Sequence, residues 1–99
     1  MTNRKVEFHQ EASLELEAAF DWYLERSESA AARFLADLNA AIVTIAEAPL
    51  RWPESNHGTR KFLLRRFPFA VVYRELPSSL QVVAVAHGHR RPGYWRNRL

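Results

Sequence analysis

The sequence contains no cysteine, which removes disulfides, thiolate metal sites and a cysteine nucleophile from consideration. Glycine is scarce: Gly58, Gly88 and Gly93 are the only three, too scattered for a phosphate-cradling loop. No serine sits in a glycine-flanked strained turn, so Ser-His-Asp hydrolysis has no support. No apolar run approaches the ~20 residues of a membrane span, and MTNRKVEFHQ lacks the apolar stretch of a signal peptide. A soluble cytoplasmic protein without membrane contact is expected. Repeats, linkers and low-complexity segments are missing too. The 99 residues suffice for one core, so residues 1–99 are read as a single domain.

Acidic residues are unevenly scarce. Residues 1–49 carry four basic and nine acidic side chains, a net of −5. Residues 50–99 carry ten basic side chains against Glu54 and Glu75 alone, a net of +8. Such a basic half points to nucleic acid or an acidic protein partner. Twelve of the fourteen basic residues are arginine, the side chain that grips phosphate or carboxylate with two hydrogen bonds.

Val6 and Phe8 alternate with polar neighbours and predict a short first strand. From Glu11 to Glu25 the period becomes helical. Ala12, Leu16, Ala19 and Tyr23 form one stripe, and Leu14, Ala18 and Trp22 form a second beside it. Ser27 is a candidate N-cap for the next helix, with Glu28 in its first turn. Ala31, Leu35, Leu38, Ile42 and Ile45 give that helix its apolar stripe, and Pro49 stops it. The short connection predicts an antiparallel helical hairpin. Residues 50–59 read as loop. Strands follow over 60–67, 69–76 and 80–87, divided by Pro68 and by Pro77-Ser78-Ser79. The expected fold is α+β, in the order β-α-α-β-β-β, with the helical hairpin on one face of a mainly antiparallel sheet. A short basic tail closes the sequence.

A turn at Phe67-Pro68 would pair Leu64 with Val71, Phe62 with Tyr73 and Arg65 with Ala70. A turn at Pro77-Ser78-Ser79 would pair Tyr73 with Val83 and Val71 with Val85. Phe62, Leu64, Val71, Tyr73, Val83 and Val85 then face the helices. The opposite face holds Lys61, Leu63, Arg65, Ala70, Val72, Arg74, Val82, Ala84 and Ala86, unless a one-residue bulge intervenes. Its small floor beside Lys61, Arg65 and Arg74 is a candidate seat for a polyanion or acidic peptide. The alternative is a half-solvated sheet whose cations protect its edge.

In the tail, Arg90, Arg91, Arg96 and Arg98 surround Tyr94 and Trp95, with His89 beside them. Arginines hold phosphates and aromatic faces stack on unpaired bases. A metal-free ribonuclease could use Arg for transition-state charge and His or Tyr for proton transfer. Trp95, large and apolar, is expected to pack back onto the sheet. His87 and His89 could begin a metal site, but nothing nearby completes it, and neither metal nor cofactor is expected.

The stretches RKFLLRRFPFAVVYRE and VVAVAHGHRRPGYW, together with the element order, resemble the RelE/ParE superfamily of bacterial type II toxins. The resemblance spans the whole chain. It implies a growth-inhibiting toxin of the plasmid-stabilising kind, neutralised by a cognate antitoxin whose acidic amphipathic segment wraps it. RelE-like members cut mRNA on the ribosome without a metal. Carried over, their set falls on Arg65, Arg90 and Tyr94. Their basic pair around the second strand is represented only by Arg60 and Lys61, and the tail is broken by Pro92 and Gly93. HGHRRPGYW is closer to the ParE-like branch, whose studied members poison DNA gyrase, and that branch is favoured over the ribonuclease reading. Lys61, Arg65, Arg74, His89, Arg90 and Arg91 are the candidate phosphate- or partner-binding residues. Phe20, Trp22 and Tyr23, on a helix with surplus apolar surface, are the candidate antitoxin-binding residues. The alternative is that the second stripe of this helix completes the core.

Overall fold

The computed structural model describes residues 4–99. Strand β1 (Lys5–Phe8) leads into helix α1 (Gln10–Leu24) and helix α2 (Glu28–Glu47). Strands β2 (Arg60–Leu63), β3 (Phe69–Glu75) and β4 (Ser79–His87) follow, and a 3-10 turn at Arg96–Arg98 ends the tail. The sheet order is β1-β4-β3-β2, with β1 parallel to β4 and the other neighbours antiparallel.

The two helices begin as local chemistry dictates. Ser27 Oγ accepts the Ala30 N–H at 3.1 Å, satisfying one of the N–H groups left free in the first turn of α2. His9 Nδ1 does the same for Glu11 N–H in α1 at 3.0 Å. Helix α2 is long and apolar enough by composition to cross a membrane. Here it buries Ala31, Phe34, Leu38, Ala41 and Ile45, the last four in one core with Val71, Tyr73 and Val85 of the sheet. Leu35 and Ile42 are only half-buried, so the inward stripe is turned from the expected one toward Phe34 and Ala41.

The first hairpin is wider than the turn at Phe67-Pro68 predicts. Phe62 pairs with Val71 and Leu63 with Ala70, two residues from the expected register. Leu64 N–H still donates to the Phe69 carbonyl at 2.9 Å, and residues 64–68 form the loop. A two-residue slip preserves which side chains share a face. Phe62 and Leu64 therefore still face the helices, but Arg65 leaves the sheet for the loop.

The second hairpin contains the bulge that reverses part of the pattern. Val71 pairs with Val85 as expected, but Tyr73 pairs with Val82, because the register shifts between Val72 and Tyr73. Val82 and Leu80 thus join the core beneath the helices. Val83, expected there, turns to the opposite face and packs with Val72, Ala84 and Trp95. That second face is not an open floor. Trp95, 8% exposed, covers it as a small second core.

Tyr73 has no exposed surface, and its hydroxyl donates to the Pro49 carbonyl at 2.6 Å. This bond ties the sheet centre to the end of α2. Tyr73→Phe is expected to cost about 1 kcal/mol in urea unfolding, since one buried hydrogen bond is lost without a cavity.

Candidate functional site

Strand β4 is longer than its parallel neighbour. β1 pairs only with residues Ser79 to Val82, and His9 N–H extends the ladder to the Val82 carbonyl at 2.9 Å. Beyond that point the β4 edge needs other partners. Glu15 of α1 supplies one: its Oε1 accepts the Val85 N–H at 3.0 Å. Arg98 supplies the other, donating to the Val83 carbonyl at 3.0 Å. The same guanidinium grips both Glu15 oxygens at 2.9 Å. The Tyr94 hydroxyl donates to Glu15 Oε2 at 2.7 Å. One carboxylate therefore fastens helix, strand and tail together.

The electrostatics agree with this geometry. Burial works to raise the Glu15 carboxyl, but hydrogen bonds from Arg98, Tyr94 and the Val85 N–H outweigh it and hold it below the usual range. Burial pushes the Tyr94 phenol well above its ordinary value, and donation to the Glu15 carboxylate pushes it further. Arg90 lies over the Tyr94 ring at 3.7 Å, and Arg98 lies 5.1 Å from the same ring.

Beside this latch runs a cleft of about 430 Å³ between α1 and the end of the sheet. Ala18, Trp22 and Tyr23 line one wall, Phe69 and Val85 also line it, and His87, Arg90 and Tyr94 come from β4 and the tail. Trp22 is 52% exposed, with the Arg26 guanidinium 3.6 Å above its ring. Leu14 and Ala18, its neighbours on the second stripe, are exposed as well. Phe20 and Tyr23 instead pack, half-buried, against the core. The second stripe does not complete the core; it leaves an apolar strip running into an aromatic cleft.

The other candidates scatter. Lys61 and Arg91 line a hollow on the opposite sheet face that adjoins the aromatic cleft at Pro68, Phe69, His87 and Tyr94, whereas Arg74 is held by Gln81 at 2.9 Å. His89 is exposed, and its N–H donates to His87 Nδ1 at 3.0 Å. Among the described residues no group of three His, Asp or Glu side chains has metal-binding spacing. Arg65, in the β2–β3 loop, lines none of the hollows lined by Arg90, Arg91 or Tyr94. Leu64, Phe67 and Pro68 of the same loop do line the hollow of Arg91 and Tyr94, so the loop borders the expected site while Arg65 itself lines no hollow with Arg90 and Tyr94. Glu15 is not among the sequence candidates, and Arg98 is read there with the other tail arginines and not as its partner. The available signal was positional: Glu15 lies three residues after Ala12 and four before Ala19, on the buried side of α1.

The family model described as "ParE toxin of type II toxin-antitoxin system, parDE" matches residues 6–92. Among solved structures, a chain of the chromosomal ParDE TA system from P. aeruginosa is similar, with a TM-score of 0.75 and 18% sequence identity. The similarity covers 85% of this chain and 95% of that one. No curated protein matches. With the match reaching from the first strand into the basic tail, the chain belongs to the ParE toxin family, the toxin half of type II toxin–antitoxin pairs.

Proposed function

We propose that this toxin acts in the cytoplasm by binding and poisoning a protein target such as DNA gyrase, without cutting RNA. The observation that carries this reading is the commitment of Tyr94. Its hydroxyl is already donated to Glu15, and its phenol is pushed far from neutrality. A proton-transfer group works best when it titrates near the operating pH. Arg65 lines no hollow together with Arg90 and Tyr94, so the carried-over nuclease set has no common site to support it. The cognate antitoxin is read as an acidic segment covering the exposed stripe of α1 and the aromatic cleft.

The test is to induce the toxin alone and follow DNA integrity and translation together. DNA breaks should precede any fall in translation, and the purified chain should inhibit supercoiling by gyrase. Arg90→Ala should blunt toxicity gradually, by about 1–3 kcal/mol of target binding. Cleavage of ribosome-bound message, lost in an Arg65→Ala protein that still folds and binds antitoxin, would overturn the reading.

A further inference from the structure

The tail arginines divide into two kinds. Arg98 is mostly buried and spends its charge on Glu15. Arg90, Arg91 and Arg96 are exposed, and none of them makes an ion pair with a carboxylate among the described residues. These three line one open hollow of about 520 Å³ together with Asn97. Gly93 adopts φ 75°, a left-handed turn that suits glycine, between Arg91 and Arg96. Directly after that turn the chain is anchored: Tyr94 is tied to Glu15, and Trp95 is packed into the second core. The cations are therefore presented from an ordered platform, with Arg90 further oriented by the Tyr94 ring.

We infer that this hollow is a binding site for the phosphodiester backbone of a nucleic-acid duplex. Three guanidinium groups with an amide beside them match successive phosphate oxygens. The aromatic residues argue for duplex over single strand. Trp95 is buried, and Tyr94 has arginines over its ring, so neither offers a free face for an unpaired base. The inference goes beyond the proposed poisoning of a protein target and stands independently of it. Were that target gyrase, the site would let the toxin touch the DNA that the enzyme holds.

Fluorescence anisotropy of the full chain with a short labelled DNA duplex tests it. Binding should weaken with salt, with a log–log slope of roughly −2.7 for three neutralised phosphates. Arg90→Gln, Arg91→Gln and Arg96→Gln together should flatten that slope, by about one per residue removed. Substituting the exposed Lys5, Arg33 and Arg51 by Gln removes the same charge elsewhere and should leave most of the slope. A single-stranded RNA of equal length should bind more weakly. Absence of duplex binding at low salt, or equal losses from the two triple variants, would overturn the site. Equal affinity for the single strand would overturn the preference for duplex. These outcomes are read without any measure of toxicity, so the site can fail while the poisoning reading stands, and the reverse.

Discussion

Glu15→Ala is expected to destabilise the protein by about 3–5 kcal/mol, the range for removing one partner of a buried ion pair. The Arg98 side chain is only 10% exposed, and without Glu15 its charge stays buried with the Val83 carbonyl as its one remaining hydrogen-bond acceptor among the described residues. The Val85 N–H and the Tyr94 hydroxyl lose their acceptor in the same step. For a domain this small the melting temperature should fall by roughly 12 °C or more. Arg98→Met in the Glu15→Ala background should recover part of the loss, because the unpaired charge is then gone. A double-mutant cycle by urea unfolding measures that coupling.

The same carboxylate sets an acid limb to stability. Its value is lowered in the folded state, so its contribution is present above the ordinary glutamate range and lost as pH falls through the folded value. The stability gap between the native protein and Glu15→Gln should shrink below about pH 4. Tyr94 acts in the other direction. Its raised value gives a contribution that is complete below about pH 10 and lost as the pH rises through the folded value. A gap to Glu15→Gln that does not change on acidification would show that the carboxylate is not the fastening point.

How much of this was legible follows from which interactions are local. The Ser27 cap, the Pro49 stop and the four-three spacing of α2 are short-range features, and both helices fall within a few residues of expectation. The sheet face is decided by parity, which survives the two-residue slip of the first hairpin. Parity does not survive the bulge. Val82 and Val83 are chemically identical neighbours, so nothing in their order says which one turns toward the helices. The latch was illegible for a different reason. Arg98 and Glu15 are 83 positions apart, and one arginine among twelve carries no mark of its partner. A carboxylate on the buried side of α1 nevertheless required some cation, and a basic tail free of carboxylates was the available supply.

Trp22→Ala is expected to weaken capture by the antitoxin at least about 30-fold, the threshold of an interface hot spot near 2 kcal/mol. The residue stands half in solvent at the wall of an aromatic cleft, where burial by a partner releases apolar surface without dismantling the core. Exposed tryptophan of this kind contributes little to folding, so the variant should unfold at nearly the native urea midpoint. Ala18→Arg places a long cation in the same cleft and should weaken capture further, by obstruction and not by truncation. Charge complementarity makes the contrast sharper. Arg90 at the cleft, with no carboxylate of its own among the described residues, favours an acidic segment whose apolar side chain enters beside Trp22. Co-expression supplies the readout: toxicity from Trp22→Ala should persist in cells where the antitoxin silences the native toxin. If the antitoxin silences both equally, while Leu63→Glu on the opposite face escapes it, the landing surface lies across the sheet and the α1 stripe serves another contact.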